Sequence, residues 1–269
     1  MTFKLFVVSA LALTAAPVTA VELIVNGSFN TVTASNTTHA KILADGTANL
    51  ANDATYITGW TVRDHSFGPT TGHTAQVWYY PTGAADVRRT DGGWAAGWAI
   101  YGPANGRANG FGPSPDGGAM VEIDGGGDYR ASLDQALTGL TIGQTYNVSF
   151  NWAGAQQSCC SGTTTEQLVV GFGGSTQSTA VWNNPSGGFS GWFSENFSFV
   201  ADGTTQILSF MAVGTPYGMP PVIVLDGVSV QAAATVGAVP EAATWAMMIV
   251  GFGFVGAAVR RRRSSAVAA

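Results

Sequence analysis

The chain has 269 residues, of which only 10% are charged and 36 are glycines, a composition that predicts a turn-rich domain with few surface charges. Its formal net charge is −5, but Lys4 and four arginines lie near the two ends of the sequence. Without them, 6 basic residues remain against 16 acidic ones, so the rest of the chain carries a net charge of −10. No basic patch is left to neutralise phosphates, and binding to nucleic acids is excluded.

The first twenty residues have the order of a secretory signal peptide. Lys4 provides a positive n-region, residues 5–15 are apolar, and the small residues before position 21 offer a cleavage site after Ala20. A first buried helix would need an amphipathic face, which this stretch lacks. We therefore expect export through the Sec pathway and removal of residues 1–20 by signal peptidase.

Residues 21–232 predict an all-β domain, an antiparallel β-sandwich with hardly any helix. Apolar and polar residues alternate in Tyr146–Trp152 and Asn196–Val200, as is typical of half-buried strands. Glycine and Asn/Asp turn pairs recur roughly every ten residues, a spacing that favours a sandwich or barrel. Residues 59–118 differ, because they are dense in Gly, Pro, Trp and Tyr, and they predict long loops over one end of the sandwich.

Aromatic residues are numerous in this domain, and three of its tryptophans are expected in the core, Trp60, Trp152 and Trp192. Others fall in the loop-rich segment, where exposed rings would be able to stack on sugars. The candidates for such stacking are Trp78, Tyr79, Tyr80, Trp94 and Trp98. Burial in the core is the alternative for these residues as well.

No catalytic motif stands out. Glu122 and Asp124 flank one residue of the strand-like segment Met120–Asp124, so both side chains should point to the same face. Such a pair fits acid–base work on a glycan, and it fits equally the polar face of a strand. We expect a domain that is not an enzyme, with a secreted glycan hydrolase as the alternative.

The two cysteines, Cys159 and Cys160, are adjacent. A conventional disulfide framework needs partners that are separated in sequence. This leaves a vicinal disulfide on an exposed loop, or pairing with another molecule. No spacing of cysteine and histidine indicates zinc.

The C-terminal region predicts a membrane anchor. After a linker, residues 233–241, the stretch Ala242–Val259 contains no charge and as a helix would be roughly 27 Å long, enough for the hydrocarbon core of a bilayer. The charges that follow would remain on the cytoplasmic side: Arg260, Arg261, Arg262 and Arg263. We thus predict a transmembrane helix with an arginine stop over residues 242–263, a cytoplasmic tail over 264–269, and everything upstream outside.

This region resembles a PEP-CTERM sorting signal. The resemblance covers the last twenty-five residues or so and rests on Pro240-Glu241, a Trp-Ala-Met-Met run from Trp245, a Gly-Phe-Gly-rich apolar helix and the arginine cluster. It implies an exosortase-type transpeptidase as partner, recognition at Pro240-Glu241, a transient stay in the inner membrane, and delivery to the envelope or beyond. Ala242 stands where the family usually has a second proline, which puts the efficiency of processing in question. An unprocessed anchor is the alternative.

A second resemblance, to galactose-binding-like jelly rolls such as DUF642-like secreted proteins, spans most of residues 21–232. It rests on Leu23–Phe29, Gly59-Trp60, Leu140–Phe150 and Val224–Val230. It implies a β-sandwich whose first and last strands lie together, and a structural calcium near the joined termini. The candidate ligands of that calcium are Glu22 and Asp226, and no other cofactor is expected. By itself the resemblance does not establish sugar binding.

Taken together, these patterns predict an exported, non-enzymatic protein of the cell envelope or extracellular biofilm matrix. Binding to an extracellular polysaccharide is the alternative function.

Overall fold

The computed structural model describes residues 21–33, 41–42, 45–50, 56–67, 75–88, 99–234 and 241–265. The predicted signal peptide, residues 1–20 with the cleavage site at Ala20, lies outside these ranges, and so do Trp94, Trp98 and Pro240. The chain divides into two compact units, Met1–Ala233 and Ala234–Ala269.

The described residues of the first unit form thirteen strands and a short 3-10 helix, Pro103–Asn105. The strands are β1 (Lys41–Ile42), β2 (Ala48–Asn49), β3 (Thr61–Asp64), β4 (Val77–Tyr80), β5 (Met120–Asp124), β6 (Ala131–Thr138), β7 (Thr145–Gln156), β8 (Thr164–Phe172), β9 (Ser175–Ser178), β10 (Trp182–Asn184), β11 (Phe193–Val200), β12 (Thr205–Thr215) and β13 (Pro221–Ala232).

Two antiparallel sheets are built from these strands. The first sheet has the order β1-β2-β4-β5-β13-β7-β11, and the second has the order β10-β8-β12-β6-β3 with β9 beside β8. β5 and β13 are far apart in sequence but are hydrogen-bonded neighbours, with Val222 opposite Asp124. The predicted β-sandwich is therefore confirmed, and the predicted alternating strands are β7 and β11.

The main core lies between the sheets and consists of every second residue of the strands. β8 is buried at alternate positions along its whole length, which is the pattern of a strand with one covered face. Phe150 is central to this core, with its ring 5.2 Å from Phe210 and 5.5 Å from Phe197. Trp60 and Trp152 are buried there as predicted, whereas Trp192 is only half-buried and belongs to a different cluster.

A second core covers the outer face of the first sheet. Its buried members include Trp78, Tyr80 and Met120, and the partly buried Phe111, Phe189 and Trp192 pack against it. Strands in this part of the sheet are consequently covered on both faces. β5 is buried at all five positions, and the second half of β7 is buried without alternation.

The second core corrects the prediction of surface stacking for Trp78, Tyr79 and Tyr80. These residues form β4, a central strand between β2 and β5, and are 1%, 6% and 0% exposed. Trp78 and Tyr80 point into the second core, and Tyr79 points into the main core. A strand buried on both faces shows no polar alternation, so its short aromatic run is easily mistaken for part of a loop.

The first and last segments of the domain lie together, as predicted. Glu22 forms an isolated bridge with Gln231, and its carboxylate accepts hydrogen bonds from the backbone N–H groups of Ile24 (2.9 Å) and Val230 (2.8 Å). The hydroxyl of Ser229 also donates to it. Because this carboxylate binds both ends of the domain, it stabilises the joined termini.

The second unit contains one described helix, α1 (Glu241–Ser265), so the prediction of a helix in this region is confirmed. The helix includes Glu241, Ala242 and Trp245, and all four of Arg260, Arg261, Arg262 and Arg263. Its apolar side chains are exposed, for example Phe252 and Phe254. Among the described residues, no helix combines the length and hydropathy needed to cross a membrane.

Candidate functional site

A cavity of about 260 Å³ lies at one end of the first sheet. It is bounded by the end of β5, the segment after β7 and the segment before β13. Its lining consists of Gln76, Asp124, Gly126, Asp128, Tyr129, Gln157, Cys159, Cys160, Gly218 and Pro220.

Strand pairing brings the deepest part of this lining together. Asp124 is the last residue of β5, and Gln76 immediately precedes β4, the neighbouring strand. The backbone N–H of Asp124 donates to the carbonyl of Gln76 (3.1 Å), and that of Gln76 donates to the carbonyl of Tyr129 (3.0 Å). Both polar side chains are thus held at the sheet's end by backbone hydrogen bonds.

Asp124 is a buried carboxylate, only 1% exposed. Its Oδ1 accepts a hydrogen bond of 2.6 Å from the backbone N–H of Gly126, but its Oδ2 receives none from the protein. Burial, and secondarily repulsion by Glu122, raise the pKa of Asp124 to about 8, although the hydrogen bond from Gly126 and the charge of Arg130 oppose this shift. The side chain of Gln76 is buried as well, and its Oε1 likewise has no donor within the protein. Asp124 Oδ2 and Gln76 Oε1 are thus enclosed oxygens that receive no hydrogen bond from the protein, and an unpaired buried acceptor costs free energy.

Glu122 points to the same face as Asp124, as predicted, but it has a different environment. It is fully buried, and its carboxylate accepts hydrogen bonds from the hydroxyl of Tyr80 (2.6 Å) and from Nε2 of Gln157. Of the two carboxylates, only that of Asp124 lines the cavity. Glu122 therefore supports the cavity from beneath by fixing Gln157.

Two exposed aromatic residues that the sequence patterns did not single out, Phe67 (58% exposed) and Tyr217 (52% exposed), neighbour the residues that line the cavity. The backbone N–H of Phe67 donates to the carbonyl of Gly127 (2.8 Å), between the lining residues Gly126 and Asp128, and Tyr217 directly precedes the lining residue Gly218. Their rings are 6.0 Å apart and nearly perpendicular, and the guanidinium of Arg130 lies 4.5 Å from the centre of the Phe67 ring. A β-carbon at Gly127 would lie only 1.9 Å from the Tyr217 ring, so glycine allows the ring to lie against the loop. The two aromatic residues lie in loops that are far apart in sequence, and only the fold brings them into contact.

The adjacent cysteines also line the cavity. In the structure both are free thiols, and Cys159 is exposed. The hydroxyl of Tyr101 donates to the carbonyl of Cys160 (2.8 Å) and positions the pair. Although Cys159 is exposed as a residue, desolvation of its sulfur and, after it, the neighbouring Cys160 raise the pKa of its thiol. The vicinal disulfide stays a prediction, and the two cysteines that would form it line the cavity.

The two residues predicted to bind calcium have different neighbours. Burial acts to raise the pKa of Glu22, but the hydrogen bonds from Ser229, Val230 and Ile24 outweigh it and lower the pKa. Asp226 lies buried in β13, and burial raises its pKa to about 7, although the nearby hydroxyl of Ser114 opposes the shift. No group of three or more His, Cys, Asp or Glu side chains in the described part of the chain is placed to hold a metal. Calcium at Glu22 and Asp226 stays a prediction.

Comparison with known proteins identifies the C-terminal region. The PEP-CTERM protein-sorting motif matches residues 238–263, so the resemblance of this region to such a signal is confirmed. A comparison with curated proteins finds no match.

Several solved structures are similar to the chain at low sequence identity. The enzymatically active domain of tailspike protein 4 of bacteriophage CBA120 has 13% identity and a TM-score of 0.35, over 79% of this chain and 21% of that one. A xylan-binding domain from Paenibacillus barcinonensis has 12% identity and a TM-score of 0.32, over 65% of this chain and 94% of that one. An adhesin domain of Lys-gingipain from Porphyromonas gingivalis has 12% identity and a TM-score of 0.33, over 65% and 90%. The chain spans about a fifth of the length of the tailspike domain.

Proposed function

We propose that this chain is an exported, non-enzymatic protein of the cell envelope or extracellular matrix, sorted through its C-terminal region and processed by an exosortase. The observation that carries the proposal is the sorting motif at residues 238–263. The apolar segment behind Lys4 at the other end of the chain supports export.

Helix α1 supports a transient association with the inner membrane before processing. Its large apolar side chains are between 45% and 76% exposed, Met247, Ile249 and Phe252 among them. Such an apolar surface is unfavourable in water and favours a lipid environment. The arginines that follow would remain on the cytoplasmic side.

A non-enzymatic role is supported by the environment of the carboxylates. Glu122 is enclosed and already accepts hydrogen bonds from Tyr80 and Gln157, so it is not placed to exchange protons with a substrate. The two carboxylates of β5, Glu122 and Asp124, therefore do not form the accessible pair that a glycosidase needs.

Intact-mass analysis of the protein from its native host tests the sorting proposal. We expect a mature species that begins at Val21 and ends near Glu241. The variant Glu241→Ala should accumulate with its C-terminal helix attached, whereas Ala242→Pro, which restores the residue usual in the family, should increase the mature fraction. A protein from the host that retains Arg263 would contradict the proposal.

Binding of a polysaccharide at the cavity is a second candidate function, favoured by the exposed pair Phe67 and Tyr217. Exposed aromatic rings provide apolar faces on which sugar rings can stack, and the neighbouring cavity, of about 260 Å³, is lined by both polar and apolar groups. The double variant Phe67→Ala/Tyr217→Ala should weaken retention on the host's polysaccharide at least tenfold. Unchanged retention in a folded double variant would rule out this site.

A further inference from the structure

Arg130, directly before β6, has no acidic partner among the described residues of the chain. On the neighbouring strand β3, by contrast, Nε of Arg63 lies 2.9 Å from a carboxylate oxygen of Asp134. The chain has 16 acidic residues against 11 arginines and lysines, so a shortage of carboxylates is not the reason. The charge of Arg130 is therefore available to a ligand.

The protein uses only one side of this guanidinium. Its Nε and Nη2 both donate to the carbonyl of Gly125 (3.3 and 3.2 Å). A guanidinium has five N–H donors, and because two are used here, three remain at the Nη1 and Nη2 end. Two such nitrogens form the planar fork that binds a carboxylate through two parallel hydrogen bonds.

The unpaired charge of Arg130 is also partly removed from water. This desolvation lowers its pKa, but a guanidinium stays protonated at neutral pH. Burial raises the pKa of the nearby Asp124 to about 8, so at pH 7 that carboxyl is mostly uncharged. Repulsion from the other carboxylates of the domain is screened over about 8 Å at physiological ionic strength. An anionic ligand would thus supply the opposite charge that the protein does not.

Two exposed aromatic rings adjoin the guanidinium. Its carbon lies 4.5 Å from the centre of the Phe67 ring, and the ring of Tyr217 lies 6.0 Å from that of Phe67. Backbone hydrogen bonds hold these segments together, because the N–H of His65 donates to the carbonyl of Arg130 (2.9 Å) and that of Phe67 to Gly127 (2.8 Å). Phe67, Arg130 and Tyr217, here called the Arg130 patch, therefore combine donors for an anion with apolar ring faces.

From these contacts we infer that the Arg130 patch binds a sugar residue that carries a carboxylate, as in an acidic polysaccharide that contains uronic acids. The inference rests on the proposed polysaccharide binding and names the class of sugar. The carboxylate would accept two hydrogen bonds from Arg130, and an apolar face of the sugar ring would lie against Phe67 or Tyr217. A neutral sugar would contact the same rings but leave the guanidinium without an opposite charge.

Two oligosaccharides of the same linkage and length test the inference, oligomannuronate and oligomannose, titrated against the full-length protein. They differ only in whether each ring carries a carboxylate or a hydroxymethyl group. We expect oligomannuronate to bind at least about tenfold more tightly, as one charge-assisted pair implies, and Arg130→Gln to remove that preference. Arg107→Gln is the matched control and should keep it, because Arg107 also stacks on an aromatic ring, 5.0 Å from the centre of Tyr101. Thermal melting of each variant verifies that it is folded.

Sodium chloride provides a second measurement that needs no variant. Raising its concentration to about 0.5 M should reduce the preference for oligomannuronate several-fold, since salt screens a partly exposed charge pair. A preference that does not change with salt would contradict the role of the charge.

The remaining outcomes separate the inference from the function on which it rests. Equal binding of both oligosaccharides, or a folded Arg130→Gln variant that retains the preference, would overturn the inference and leave polysaccharide binding standing. Sodium acetate that binds as tightly as oligomannuronate, in an Arg130-dependent manner, would overturn the sugar as the ligand. If neither oligosaccharide binds, the inference is wrong, and retention on the host's own polysaccharide decides the underlying function separately.

Discussion

Replacing Asp124 by asparagine should stabilise the domain, and by an amount that depends on pH. Asparagine has the same shape and its Oδ1 can still accept the hydrogen bond from Gly126, but it carries no charge into the buried site. In the unfolded chain an aspartate has a pKa of about 3.9, whereas burial raises that of Asp124 in the folded protein to about 8. Between these values the folded state binds more protons than the unfolded state, so stability falls as pH rises.

The magnitude follows from the size of the shift. Each unit of pKa difference corresponds to about 1.4 kcal/mol, so a difference of about four units sets an upper bound on the order of 5 kcal/mol for the loss in stability between pH 4 and pH 8. Local opening of the site would reduce it, and a gain of about 2 kcal/mol for Asp124→Asn at pH 8 is a realistic expectation. Below pH 4 both states hold the proton, and the advantage of the variant should disappear.

Urea unfolding at several values between pH 4 and pH 9 measures this difference directly. The gain of Asp124→Asn over the wild type should grow with pH up to about 8 and then stay constant. Glu166 and Asp226, whose pKa values burial raises to about 7, should lower the stability of both proteins alike, so they cancel in the comparison. A gain that is the same at pH 4 and pH 8, or a variant less stable at pH 8, would refute the reasoning.

Three further predictions concern the core, the joined termini and the cysteines. Trp78→Ala should cost about 3–5 kcal/mol of unfolding free energy, because the ring is buried in the second core, and a loss below 1 kcal/mol would contradict its burial. Gly27→Ala should cost on the order of 3 kcal/mol in the same urea assay, since its β-carbon would lie 1.8 Å from the carbonyl oxygen of Val228; a neutral effect would show that the termini separate easily. If Cys159 and Cys160 form the vicinal disulfide in the exported protein, its intact mass should increase by two hydrogens on reduction, and an unchanged mass with two alkylatable thiols would exclude the bridge.

Local patterns in the sequence predicted those parts of the molecule that depend only on residues close to one another in sequence. The alternation in Tyr146–Trp152 corresponds to β7 because one face of that segment is covered and the other is not. Glu122 and Asp124 point to one face because residues two apart in a strand always do. Residues 238–263 carry their sorting motif in a continuous stretch, so the fold is not needed to recognise it.

The run Val77–Tyr80 shows where this local reading fails. Its burial depends on a second core made by segments far away in sequence, such as Phe111 and Phe189, and no pattern within four residues can reveal what covers a strand's second face. The sequence alone therefore predicted three aromatic rings on the surface, and the fold buries all three.

The sequence by itself determined the sorting signal of this protein and the architecture of its domain, because a sorting signal and the period of a strand are both local properties. Only the tertiary structure decided which residues line the cavity. Gln76, Asp124, Gln157 and Pro220 come from four separate segments, and antiparallel pairing brings them together. Whether a carboxylate there is enclosed like Glu122 or left with a free acceptor like Asp124 depends on which distant donors reach it, and that is settled only when the sheets have packed.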